Sequence, residues 1–175
     1  MHVNRRSAIR QLLVISAGAA LLPACVNDKK PAAAAYTNLG ITVADEELLA
    51  AIAGTLIPTT DTPGARDVNA HAFALRMLND CYKKEDRERF VAGLQQFRDG
   101  VRKKYNKSYA QCTAAEQEAI IAEAAARQDT GDNAAYFYNT FKQLTIQGYT
   151  SSEYYLTKVE VYKLVPGKYI SSVPV

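Results

Sequence analysis

Apolar residues recur at helical spacing along most of the chain. Leu48, Leu49, Ile52, Leu56 and Ile57 form one stripe, and Thr42 followed by Asp45 and Glu46 reads as its start, with acidic residues in the first turn. Pro58 has no N–H to donate and disfavours helical backbone at Ile57, so the helix is expected to stop there. The stretch from Thr55 to Ala65 then becomes a polar, sharply shaped loop. In it Thr59, Thr60, Asp61 and Thr62 can bond their own backbone, and Pro63-Gly64 predicts a type II turn with positive φ at the glycine.

A second helix is expected beyond the loop, capped by Asp67 or Asn69 and carrying His71, Leu75, Leu78 and Tyr82 on one face. Asn79-Asp80 and the charged run from Lys83 to Arg89 predict a break or an exposed turn. Phe90, Leu94, Phe97, Val101 and Tyr105 give the clearest helical spacing in the chain, slightly weakened by Gly93 and Gly100. After the basic loop Asn106-Lys107-Ser108, Thr113 and Glu116 form a capping box for a helix bearing Ile120, Ile121 and Ala124. Asp129 to Asp132 is a break, and Asp132 or Asn133 caps a helix with Phe137, Phe141 and Leu144 that Gly148 is expected to end. Ser151-Ser152-Glu153 can cap one more short helix, and Val165-Pro166-Gly167-Lys168-Tyr169 reads as a turn into an extended tail. No strand pattern of useful length occurs. The expected class is all-α, an irregular bundle of about five to six helices with an extended C-terminal tail, occupying residues 42–175.

The first residues follow another pattern. Arg5, Arg6 and Arg10 precede an apolar run from Leu12 to Leu22, which is shorter than the roughly 20 residues that span a bilayer but suits the core of a signal peptide. Arg5-Arg6 resembles a twin-arginine export signal, the other reading being an ordinary secretory leader. Leu22-Pro23-Ala24-Cys25 resembles a bacterial lipoprotein cleavage box. Residues 1–24 are therefore expected to be a signal peptide, with Cys25 as the lipidated mature N-terminus and 25–41 as a tether. The implied location is the periplasmic side of the cell envelope, on a membrane.

Charge adds one point. The net charge of +3 comes from the leader, because removing its three arginines from 21 basic residues leaves 18 against 18 acidic ones. A neutral body gives no electrostatic footprint for nucleic acid.

Candidate chemistry is sparse. Beyond the leader there is one histidine, His71, on an apolar face where a core or edge role is commoner than ligation. Cys81 and Cys112 form no C-x-x-C pair; in an oxidising envelope they either join in a disulfide or serve as small buried apolar residues. Glu46 and Glu47 are adjacent and point apart on a helix, so they do not make a carboxylate pair. Neither a dinucleotide fingerprint nor a nucleophile elbow occurs. Tyrosines crowd the last third, at 136, 138, 149, 154, 155, 162 and 169, as contact surface or as core.

Four segments together resemble the gluconate 2-dehydrogenase subunit 3 family, the small subunits of membrane-associated flavin dehydrogenases. They are the twin-arginine leader, the loop from Ile57 to Ala65, the Leu144-Thr145-Ile146-Gln147-Gly148-Tyr149 segment with Ser152-Glu153, and Val165 to Tyr169. The resemblance implies a non-catalytic accessory subunit, with no cofactor in this chain, and a large FAD-containing partner of the glucose-methanol-choline type that oxidises a sugar, sugar acid or polyol. It also leaves room for a cytochrome c as electron acceptor. A twin-arginine signal on the small subunit would export both chains folded. The rigid loop Pro58, Thr59, Thr60, Asp61, Thr62, Pro63 and Gly64, with Tyr149, Ser152 and Glu153 beside it and Pro166 and Gly167 later in the chain, is the expected docking surface. The alternative is a free-standing envelope lipoprotein that binds or scaffolds. An enzyme in its own right would need a pair such as His71 and Asp61 brought together by the fold.

Overall fold

The computed structural model describes residues 36–127, 131–160 and 167. Among them are five α-helices and no β-strand: α1 Val43–Leu56, α2 Ala70–Cys81, α3 Lys84–Tyr105, α4 Ala114–Ala125 and α5 Asn133–Thr150. A 3₁₀ turn, Tyr109–Gln111, links α3 to α4, and a π-helical turn, Tyr155–Val159, follows α5. The all-α class stands. Arg5, Arg6, Cys25, Pro166, Tyr162 and Tyr169 lie outside the described residues.

Local signals set most of the boundaries. Thr42 and Asp45 make a reciprocal capping box at α1, as Thr113 and Glu116 do at α4, and Asp132 accepts a hydrogen bond from the Ala134 N–H at α5. Helix α1 ends at Leu56, one residue before the extended Ile57, as Pro58 requires. Two expectations need correction and one gains an exact position. Neither Asp67 nor Asn69 caps α2 through its side chain: Asn69 sits at the N-cap in left-handed backbone (φ 55°), and Asp67 is engaged elsewhere. The break expected near Asn79-Asp80 and the charged run falls at Tyr82-Lys83, and the rest of the run is helical, since α3 begins at Lys84 with Glu85 and Asp86 complementing its N-terminal dipole. Arg87 on that first turn donates to the Tyr82 carbonyl at 2.8 Å, so it tightens the two-residue corner between α2 and α3. Gly148 is interior to α5, not its end.

Helix α5 is the hub, packing most extensively against α3 and α2. Its buried face carries Phe137, Phe141 and Leu144. Phe137 is surrounded by rings, with centroids at 5.1 Å from Phe90, 5.5 Å from Phe97 and 6.1 Å from Phe141. Two glycines permit the close crossings. A Cβ on Gly93 would stand 2.0 Å from the Asn133 carbonyl oxygen, and one on Gly148 would stand 2.9 Å from the Phe73 ring.

The body also begins earlier than expected. Residues 36–41, assigned above to the tether, pack into the core through Tyr36, Leu39 and Ile41. The segment is pinned to α2, with the Asn38 N–H donating to Asn79 Oδ1 at 2.9 Å and Asn38 Nδ2 to the Asn79 carbonyl at 3.3 Å. Burial of three large apolar side chains outweighs the freedom that polar, Ala-rich surroundings would give this stretch.

Candidate docking surface

The loop after α1 is closed at its base and braced inside. The Ala65 N–H donates to the Ile57 carbonyl at 2.9 Å, which ties the two ends together. Asp67 Oδ2 accepts from the Gly64 N–H at 2.8 Å and from the Thr59 hydroxyl. Those two bonds, with Arg66 nearby, hold the Asp67 carboxyl below its usual range. At the tip the Thr60 N–H donates to the Thr62 carbonyl at 3.0 Å.

Gly64 has its own correction. Among the described residues the left-handed positions are Gly40, Gly131, Asn69 and Asn106, so the type II turn with positive φ at Gly64 does not form. Glycine is required there by contact. A Cβ would lie 2.6 Å from both the Ile57 carbonyl oxygen and the Thr59 nitrogen. The loop is folded tightly on its own entry strand, and only a residue without a side chain lets it close.

This brace turns the polar residues outward. Pro58, Thr59, Thr60, Asp61 and Thr62 are exposed, Pro63 is half-buried and Gly64 is buried. The expected neighbour is in place too: the Tyr149 hydroxyl, at the end of α5, donates to the Pro63 carbonyl at 3.0 Å. Tyr149 also meets the Tyr155 ring edge-on at 5.9 Å, and the Tyr155 N–H donates to the Ser152 hydroxyl at 3.2 Å. Glu153 is exposed and Ser152 half-buried. On the same two elements Ile146 and Val159 are 44% and 52% exposed. A polar braced loop thus adjoins a pair of tyrosine rings at the end of α5. A polar rim beside an apolar centre is the make-up of protein–protein interfaces.

The other candidates resolve separately. Cys112 is buried and its thiol donates to the Ser108 carbonyl at 3.4 Å, while Cys81 is exposed; both are free thiols. Tyr138 and Tyr109 belong to the core, whereas Tyr136, Tyr149, Tyr154 and Tyr155 are half-buried. Burial pushes the Tyr109 hydroxyl up to about 12, and it donates to the Thr55 hydroxyl at 2.8 Å. Glu47 is exposed on α1. No group of three or more His, Cys, Asp or Glu suited to a metal ion occurs among the described residues, and no helix among them is long and apolar enough to cross a membrane. A cleft of about 240 Å³ beside α1 includes Asp45 and Arg98, but these are joined to each other at 2.9 Å. That pair links positions 53 apart in the chain and has no local signal in the sequence.

His71 takes the core role. It is buried on α2, and Nδ1 has no hydrogen-bond partner among the described residues. Burial, then the Arg66 charge, lowers its pKa from the ordinary 6.5. The unfolded chain therefore binds a proton on this ring before the folded chain does, and the associated stability is complete above 6.5 and is lost as the pH falls. Urea midpoints measured from pH 7.5 down to 5 should decline, and His71→Gln should flatten the decline. An equally steep decline in the variant would assign the effect to other groups.

Residues 44–167 match the family described as gluconate 2-dehydrogenase subunit 3. No curated protein and no solved structure matches the chain.

Proposed function

The chain belongs to the gluconate 2-dehydrogenase subunit 3 family, and from that premise we propose that it is the non-catalytic small subunit of an envelope FAD-dependent dehydrogenase acting on a sugar, sugar acid or polyol. In this reading Arg5-Arg6 directs export of the folded complex, a lipid on Cys25 holds it at the membrane, and the FAD resides in the large partner. The partner sits on the loop from Pro58 to Gly64 and the adjoining end of α5.

The observation that carries the reading is the bracing of an exposed polar loop. Asp67, Gly64 and the Ala65–Ile57 bond fix its shape before any partner arrives, so little ordering entropy is lost on docking. Thr60 and Asp61 are exposed and make no bond to the brace, so removing their side chains alters the surface and spares the fold.

The test is co-purification from the envelope. The full chain should bring down a flavin-containing protein with dehydrogenase activity. Thr60→Ala with Asp61→Ala should lose that protein by about tenfold or more, the loss of two interface hydrogen bonds, while keeping its helical circular dichroism and melting point. A double variant that binds as tightly as the parent removes the loop from the interface. Replacing Arg5 and Arg6 by lysine should leave both chains in the cytoplasm; normal export would overturn the twin-arginine assignment.

A further inference from the structure

Tyr149 was expected as part of the docking surface itself, yet its hydroxyl is directed inward. It donates to the Pro63 carbonyl at 3.0 Å, joining residues 86 apart in sequence. Pro63 is the residue at which the loop turns back towards its base, directly before the buried Gly64. The carbonyl of Pro63 has no other hydrogen bond to the protein among the described residues. The loop's other braces, at Asp67, at Ile57–Ala65 and at Thr60–Thr62, act on its entry, its exit and its tip. Tyr149 is the contact that fixes the returning limb against another helix.

The same ring is engaged by a neighbour as well. Tyr155 on the π-helical turn packs edge-on against it at 5.9 Å, and Gly148, immediately before it, lets α5 approach α2 so closely that a Cβ would lie 3.1 Å from the Ala70 carbonyl oxygen. The ring is thus held by Tyr155 and by the core it packs against before its hydroxyl reaches the loop. A tyrosine so placed has few alternative rotamers and loses little entropy in making the bond.

We propose that Tyr149 is a positioning residue for docking: its hydroxyl latches the returning limb of the loop to the end of α5, so that the loop and the π-helical turn present one continuous, fixed surface to the partner. The proposal rests on the docking role given to the loop above. Tyr149 acts through Pro63 and Gly64 and does not itself need to touch the partner.

The variant Tyr149→Phe removes one oxygen atom and keeps the ring, its contact with Tyr155 and its packing. Two measurements are made on it. In the subunit alone, amide hydrogen exchange at Ala65 and Thr60, whose N–H groups close the loop, should accelerate by roughly 2- to 13-fold, the factor equivalent to one ordinary hydrogen bond. Exchange at the core of α3 should stay unchanged. In the complex, the affinity for the flavin-containing partner co-purified with the parent chain should fall by a similar factor, whereas Tyr149→Leu, lacking both hydroxyl and ring, should lose more. Unchanged loop exchange in Tyr149→Phe overturns the latch, whatever happens to binding. Faster exchange with unchanged affinity also overturns the proposal, because the loop's shape would then not serve docking. The Thr60→Ala, Asp61→Ala variant separates the two ideas. If it weakens binding where Tyr149→Phe does not, the latch alone fails; if neither weakens binding, the docking role of the loop fails with it.

Discussion

Gly93→Ala is expected to be the most damaging single-methyl change in the protein. An added Cβ would lie 2.0 Å from the Asn133 carbonyl oxygen and 2.6 Å from the Phe137 Cβ, and neither neighbour is the free end of a flexible chain. The first is backbone at the start of α5 and the second is the Cβ of a fully buried side chain. Relief requires α3 and α5 to part along their main contact. Overpacking usually costs about 1–3 kcal/mol, and a contact this short on backbone belongs at or above the upper end. The better helix propensity of alanine returns only about 1 kcal/mol. A net loss of about 2 kcal/mol or more lowers the melting point by roughly 4–8 °C or more in a domain of this size. Gly100→Ala, two turns further along α3, is the control, since nothing lies within 4 Å of its Cβ position. It should leave the melting point unchanged or raise it. Equal behaviour of the two variants by thermal denaturation would show that the α3–α5 crossing is not so close.

The second large effect is expected at Phe137. Three other phenylalanine rings lie within 6.1 Å of its centroid, and the residue is fully buried. Phe137→Ala removes the ring on which Phe90, Phe97 and Phe141 converge, and fixed helices cannot collapse to fill the space. Such truncations cost about 3–5 kcal/mol, a large part of the roughly 5–15 kcal/mol that holds a typical domain. Urea unfolding should show the midpoint falling with little change in slope. Phe137→Leu, which keeps most of the volume, should recover much of the loss. A cost under about 1 kcal/mol for the alanine variant would show that the cluster is not the centre of the core.

The first effect falls where the sequence speaks least. The stripe from Phe90 to Tyr105 announces α3 because its period is local and long, but Gly93 and Gly100 look alike in it, as two residues that weaken a helix. Only the partner helix distinguishes them. Gly148 shows the same ambiguity: glycine marks helix ends and close approaches equally well, and here it is an approach. The capping boxes were legible because their partners stand three residues apart. Asp67 was not, since its bonds run back to Thr59 and Gly64 and the sequence cannot choose between capping forward and bracing backward. The loop itself was legible as a rigid polar turn from its prolines and threonines. Its attachment to Tyr149 was legible only as neighbourhood, because a bond across 86 residues has no local pattern. Tyr36, Leu39 and Ile41 were missed as core because three apolar residues in so short a stretch cannot display a period.

The packing of those three residues sets a length. With the chain fastened to α2 from Tyr36 onward, only eleven Cα-to-Cα steps separate the body from Cys25. Fully drawn out, that leash reaches at most about 40 Å. On the proposed lipid anchor the near edge of the body can stand no farther than this from the bilayer surface, and the face around Tyr36 and Asn38 must turn towards the lipid when the leash is taut. A small subunit tied in this way confines its partner to a thin layer above the membrane and biases its orientation, much as a short mooring line holds a hull to a quay.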